Sequence, residues 1–227
     1  MLILRRIRKI LKKDIIFQDN LRAKPISNIF GLERGTPIDR YYIEKFLERY
    51  NQCISGDLLE ISESSYSKQF GTNVSSYGIL SYDNSNRKAT ILGDLTKPET
   101  LPDNKIDCFI CTQTLNFIYD VPNAIEGCYK LLKPNGSLLC TVSGLSQISR
   151  YDMNRWGDYW RFTDLSIKIL MEKTFGKNNV EVATYGNILA AKAFLDGVAI
   201  EDLPDISLLD QKDPDYQVTI AVRAIKK

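Results

Sequence analysis

The clearest pattern of apolar and polar positions lies in the middle of the chain. Residues 106–111 form a short apolar run, too brief for a helix and suited to a strand buried on both faces. From Val121 onward the apolar positions Ala124, Ile125, Cys128, Leu131 and Leu132 recur at three and four, the stripe of a helix laid on a sheet. Lys133-Pro134-Asn135-Gly136 stops that helix, because Pro cannot continue it and Gly tolerates the turn. Residues 137–142 are a second apolar strand. Strand, crossover helix and strand make a right-handed parallel unit, and ligands of such sheets gather beyond the carboxyl ends of the strands, here Thr112-Gln113-Thr114 and Ser143-Gly144.

The flanking patterns extend this unit. Ile38, Tyr42, Phe46 and Tyr50 share one helical face, with Thr36 as the cap, Pro37 in the first turn and Asp39 completing a capping box. Strands are expected at 56–62, 74–80 and 89–92. Thr163 caps a helix over 164–174 whose apolar positions are Leu165, Ile169, Leu170 and Phe175. A strand at 180–184, a helix at 188–195 and a final strand at 216–224, after the Asp213-Pro214-Asp215 turn, complete the chain. Alternation of strands and helices predicts an α/β fold, with residues 1–35 as an N-terminal arm and 36–227 as one domain.

Charge adds an asymmetry. The formal net charge is +2, yet residues 1–13 carry Arg5, Arg6, Arg8, Lys9, Lys12 and Lys13 and no acid. The remainder is therefore mildly acidic and has no basic footprint for nucleic acid. In the same thirteen residues Ile3, Leu4, Ile7, Ile10 and Leu11 fall on one helical face, a pattern of either a peripheral membrane contact or a terminal helix packed on the domain or on another subunit. Five cysteines (Cys53, Cys108, Cys111, Cys128 and Cys140), with no signal peptide before them, suit reduced thiols in the cytoplasm. A strand turns Cys108 and Cys111 to opposite faces, and the chain has no histidine, so no metal site is expected.

Residues 144–163 are loop-like and loaded with Arg150, Tyr151, Asp152, Arg155, Trp156, Asp158, Tyr159, Trp160 and Arg161. An irregular segment of this length usually lids a site. Its aromatics offer flat faces for sugar C–H surfaces and its arginines two-point contacts for phosphate or carboxylate. Against that, Trp156 and Trp160, four apart, fit core anchors of a short helix, and at least one is expected to be so.

Ile106-Asp107, the strand ending in Thr112-Gln113-Thr114-Leu115, the helix closing at 131–136 and the next strand resemble the second half of a class I S-adenosylmethionine-dependent methyltransferase. Residues 150–163, with 35–47, are similar to a bacterial group found with cell-surface polysaccharide and glycosyltransferase genes. The resemblance implies a Rossmann-like fold, a mostly parallel seven-stranded sheet with an antiparallel last strand and helices on both faces. It implies S-adenosylmethionine as cofactor, held by Glu60, Ile61, Ser62, Tyr66, Asp94, Leu95, Gln113 and Thr114. Glu60 matches the acid that orients the methionine amino group, Asp94 and Leu95 the adenine contacts. Two departures stand out: the usual Gly-x-Gly-x-Gly is Ser62-Glu63-Ser64-Ser65-Tyr66, and the acid expected for the ribose is absent around Ser76-Tyr77-Gly78, none occurring until Asp83.

For the acceptor side, Asp39, Arg40, Tyr41, Tyr151, Trp156, Trp160 and Arg161 are the implied substrate contacts. If a sugar hydroxyl is methylated, Asp152 or Asp158 is the candidate base, with Asp39 next; if a carboxylate or phosphate, Arg155 or Arg161 matters more. The expected function is O-methylation of a sugar, nucleotide-sugar or glycan intermediate of cell-surface polysaccharide synthesis, in the cytoplasm or at the inner face of the membrane. The alternative is a methyltransferase-fold protein that has lost its cofactor and partners a glycosyltransferase. A nicotinamide-dependent reductase, suggested by Tyr41-x-x-x-Lys45, fails because that pair precedes the first strand.

Overall fold

The computed structural model describes residues 22–227; the amphipathic pattern of residues 1–13 lies outside them. Seven strands make one sheet in the order β3-β2-β1-β4-β5-β7-β6. They are β1 (Gly56–Ile61), β2 (Val74–Ser81), β3 (Ile91–Leu92), β4 (Ile106–Thr112), β5 (Leu132–Ser143), β6 (Val180–Tyr185) and β7 (Thr219–Ile225). The first five are parallel, while β7 lies antiparallel between β5 and β6. This is the Rossmann-like methyltransferase arrangement. The order reverses between β1 and β4, so their carboxyl ends diverge and leave a crevice.

Side-chain alternation along the inner strands feeds two cores. Leu59, Phe109, Cys111, Leu138, Cys140 and Val222 face one way, against α3 (Val121–Leu131) and α5 (Asp164–Phe175). Leu58, Cys108, Ile110, Leu139 and Ala221 face the other, against α1 (Ile38–Arg49) and α6 (Ile188–Asp196). Cys108 and Cys111 thus belong to opposite cores. A six-residue helix, α2 (Ser65–Phe70), follows β1, and a single turn, α4 (Arg150–Met153), interrupts the segment after β5.

Three local expectations are corrected. Thr36 does not cap α1: its amide and hydroxyl both donate to the Glu201 carboxylate at 2.8 Å, a long-range partner that outcompetes the local cap. Its box partner Asp39 accepts the Arg40 amide instead, also at 2.8 Å. In α5 the buried positions are Ile167, Met171 and Phe175, whereas Leu165 and Ile169 are exposed. The helix carries two overlapping apolar stripes, and the one spaced by four throughout meets the sheet. Finally, β2 runs on to Ser81, so its tip is Tyr82-Asp83 and not Ser76-Tyr77-Gly78. Thr163 does cap α5, in a reciprocal box with Ser166.

Residues 22–37 pack onto the C-terminal end of α6. The amides of Ile26 and Ser27 donate to the Asp196 carbonyl (2.8 and 3.2 Å), and the Phe30 and Phe194 rings lie 5.7 Å apart. Gly31, at φ +84°, runs so close to Gly197 that a Cβ would sit 2.8 Å from that carbonyl oxygen.

Candidate active site

A cavity of about 520 Å³ opens at the carboxyl ends of β4 and β5. The start of α1 supplies Asp39, Arg40, Ile43 and Glu44, and the β1–α2 junction supplies Glu63, Ser65, Tyr66 and Gln69. The strand tips add Thr112, Gln113 and Ser143; the segment after β5 adds Ser146, Gln147, Ser149, Asp152, Asp158 and Arg161; Phe30 and Leu32 close one side. The volume lies in the range that encloses most of a drug-sized ligand.

The floor is a polar knot built on the two strand ends, Gln113 and Ser143, that the sequence places at the ligand side. Gln113 takes a left-handed φ of 47°, which turns it off the end of β4. Its Oε1 accepts from Ser143 Oγ at 2.7 Å and from Asn116 Nδ2 at 3.0 Å, while Asn116 Oδ1 accepts the Ser143 amide at 3.0 Å. The Asn116 carbonyl also accepts the amides of Tyr159 and Trp160, so one buried residue joins strand tips to lid. Ser143 is the strand end that the sequence places at the ligand side, whereas Asn116 carries no sequence signal, since its role depends on partners far along the chain. With its oxygen committed, Gln113 keeps its buried Nε2 without a partner among the described residues. A buried unpaired donor on a cavity wall calls for an acceptor. Thr114 turns back, its hydroxyl donating to the Thr112 carbonyl at 3.0 Å, and does not line the cavity.

Glu60 is buried and bound to the start of α2. Its Oε2 accepts from the Ser67 amide and hydroxyl (2.9 and 2.7 Å) and its Oε1 from the Tyr66 amide (3.2 Å). Burial pushes its pKa up, against the pull of those donors. The carboxylate is spent on a helix N-terminus, where amides and dipole favour it, and it does not reach the cavity. Ile61 packs at the edge of the core. Ser62 holds the left-handed turn with φ 66°, and its carbonyl accepts from Asn86 at 2.7 Å, which ties the loop after β2 to the β1 tip. Tyr66 forms part of the cavity wall, beside Phe70, and leaves the space open. Burial pushes its phenol pKa up to about 12.

Asp94 and Leu95 are turned to structural use. Asp94 Oδ1 accepts from the Thr96 amide and hydroxyl (2.9 and 2.7 Å); burial alone would raise its pKa, but Thr96 and Lys97 outweigh it and hold it below the ordinary value. Leu95 is buried in the core under α3, where a Cβ on Gly127 would come within 2.3 Å of its carbonyl oxygen. Neither residue lines the cavity.

On α1, Asp39 and Arg40 face the cavity and Tyr41 does not: its hydroxyl donates to Asp210 at 3.0 Å, on another side of the helix. Protein atoms crowd the Asp39 carboxyl and push its pKa up to about 6, with the Arg40 amide and guanidinium opposing. Burial also raises Glu44.

The segment after β5 is pinned by charge. Arg161 forks onto Asp158, Nη1 to Oδ1 at 2.6 Å and Nη2 to Oδ2 at 2.9 Å, and donates to the carbonyls of Ser146 and Gln147. Burial would raise the Asp158 pKa, but Arg161 and the Ser149 amide outweigh it and keep the carboxyl below its usual value. A carboxylate so held is a brace and a poor base. Asp152 accepts the Ser149 hydroxyl at 2.5 Å. The remaining aromatics stand outside. The Arg155 guanidinium lies 3.4 Å over the Tyr151 ring, Trp156 meets that ring edge-on, and Trp160 stacks on Tyr119 while its Nε1 donates to the Ile118 carbonyl. Trp156 and Trp160 are 53% and 38% exposed, so neither is the expected core anchor.

Residues 52–140 match the family model described as a methyltransferase domain. No curated protein matches the chain. Among solved structures, the fold is similar to an S-adenosylmethionine-dependent methyltransferase from Mesorhizobium loti (14% identity, TM-score 0.53, covering 86% of this chain and 100% of that one). It is also similar to one from Archaeoglobus fulgidus (12%, 0.52, 82% and 94%). A third likeness is phosphoethanolamine N-methyltransferase 2 of Haemonchus contortus, solved with phosphomonomethylethanolamine and S-adenosylhomocysteine (14%, 0.51, 82% and 52%). Sheet order and matched segment agree: the chain has the methyltransferase fold, and residues 52–140 of it match a methyltransferase domain.

Proposed function

We propose that the enzyme methylates a hydroxyl of a sugar, nucleotide-sugar or glycan intermediate of cell-surface polysaccharide. The observation that carries this reading is the Asp39 carboxyl, which faces a cavity of mixed hydroxyl, amide and apolar lining with its pKa raised to about 6. A sugar hydroxyl must lose its proton as its oxygen takes the methyl group, and a carboxylate of raised pKa is suited to accept it. Asp39 therefore replaces Asp152 and Asp158, both engaged in holding the lid, as the assigned base. Arg40 stands at the same cavity and suits a phosphate on the acceptor. The similarity of residues 150–163 to the polysaccharide-associated group supports the same acceptor class, and a glycosyltransferase acting on the same glycan is the partner it implies.

The residues present fit the cofactor. Gln113 offers its unpaired Nε2 at the wall, Ser62 supplies by its left-handed backbone the turn that glycine usually makes, and Asp83, at the tip of β2 beside the β1 loop, is the carboxylate we assign to the ribose hydroxyls. Asp83 accepts the Ser85 amide at 2.9 Å, and hydrogen bonds from Ser85 lower its pKa, so it stays ionised. S-adenosylmethionine supplies an already activated methyl group, which leaves alignment and proton acceptance to the protein.

Incubation with methyl-labelled S-adenosylmethionine and a panel of nucleotide sugars, amines and carboxylic acids tests the acceptor class. Label is expected in an O-methyl group of a sugar. Transfer confined to amines or carboxylic acids would overturn the assignment.

A further inference from the structure

We propose that the rim of the cavity is a docking surface for an anionic lipid bilayer. Large apolar side chains stand exposed on two segments that meet there. The arm before α1 presents Ile26, Ile29 and Leu32 at 42, 52 and 50% exposure, and the segment after β5 presents Leu145 and Ile148 at 39 and 48%. Gln147 Nε2 donates to the Asn28 carbonyl at 3.0 Å, which joins the two segments into one rim. Leu32 and Gln147 also line the cavity, so rim and mouth are continuous.

The exposure is built in. The Ser27 hydroxyl, buried in the arm, accepts the amides of Ile29 and Gly31 (3.1 and 3.0 Å) and donates to Glu33 at 2.9 Å. That turn is seated on α6 by Asp196 and Gly197, so the apolar side chains are held outward on an ordered frame.

Charge selects the occupant. Residues 1–21 precede Arg22, whose guanidinium pairs with the same Asp196 that holds the Ile26 amide, and the first thirteen residues of the sequence carry six basic side chains and no acid among apolar ones. Basic residues are drawn to anionic headgroups while exposed Ile and Leu enter the interfacial layer, and the two contributions act together on a bilayer. A second copy of the chain carries the same basic excess in its sequence and so lacks the opposite charge that an anionic headgroup supplies.

The test is co-sedimentation of the full chain with phosphatidylcholine vesicles and with vesicles containing phosphatidylglycerol. Binding is expected only to the anionic vesicles, with release at about 0.5 M salt, where screening is nearly complete. The double substitution Ile26→Glu and Ile29→Glu is expected to lower the partition coefficient at least about tenfold while S-adenosylhomocysteine affinity, read by calorimetry, stays unchanged. Three results would each overturn the proposal: no binding to anionic vesicles, anionic binding that the double substitution leaves intact, or a dimer of the unsubstituted chain that the substitution dissociates without any lipid binding. The calorimetric readout separates these from failure of the methyltransferase reading, which would abolish cofactor binding with or without lipid.

Discussion

Replacing Asp39 with Asn is expected to lower the methyl-transfer rate by about 10²–10⁴-fold, the usual contribution of a positioned general base, with S-adenosylhomocysteine affinity unchanged. The carboxyl is crowded by protein atoms at the start of α1, and the Arg40 amide and charge, with its own backbone amide, offset only part of the cost of ionising it there. With its pKa raised to about 6, it is ionised near neutrality yet more basic than an ordinary Asp. The rate should therefore rise with pH through about 6, and Asp39→Asn should flatten that limb. Stability should move the opposite way. A carboxyl whose folded pKa is raised favours folding most below the unfolded value, 3.8, and that advantage is lost as pH rises through the folded value, about 6. Above pH 6 the variant should be more stable, by about 1 kcal/mol once partial solvent screening is allowed for, or about 2–4 °C in Tm. A variant that is hotter-melting and slower is hard to obtain by accidental damage. Calorimetric melts and pH–rate profiles of the two proteins check both halves.

The second large effect is expected at Glu60. Removing its side chain in Glu60→Ala leaves two helix amides and the Ser67 hydroxyl without their acceptor in a buried setting. Stranded donors of this kind cost about 1–3 kcal/mol each before relaxation, so a loss of about 3 kcal/mol, or roughly 6–12 °C in Tm, is expected. The start of α2 carries Tyr66 and Gln69 into the cavity wall, so cofactor affinity should fall with it. Glu60→Gln keeps the shape and one acceptor oxygen and should lose about half as much stability. Equal losses in the two variants would show that the carboxylate's hydrogen bonds are not what holds α2.

The sheet was legible because its inner strands, buried on both faces, must be continuous apolar runs: 106–111 and 137–142 could be little else once the helix between them had its stripe. The antiparallel β7 followed from the resemblance. What stayed hidden depended on contacts between distant residues. Nothing in Asp164–Phe175 says which of two apolar stripes meets the sheet. Leu95 could stack on a ligand or enter the core, and the close approach of Gly127 decides it. Tyr41 and Asp39 are two residues apart on α1, so about 200° of helical rotation sends one to Asp210 and the other to the cavity. The lid residues were readable as a loaded segment but not as individuals: Asp158 and Arg161 satisfy each other, whereas the sequence offered the one as a base and the other as a substrate contact. Asn116, which joins the strand tips to the lid, was missed because nothing local marks a buried Asn as a hub.

The claim on which the rest turns is that this fold, with serines in place of the customary glycines after β1 and a carboxylate only at Asp83, still takes its cofactor. Isothermal titration of the purified chain with S-adenosylhomocysteine tests it most directly. One-to-one binding in the micromolar range, weakened at least about tenfold by Asp83→Ala through loss of hydrogen bonds to a charged acceptor, is the result predicted. Absence of any binding heat at millimolar ligand would contradict it.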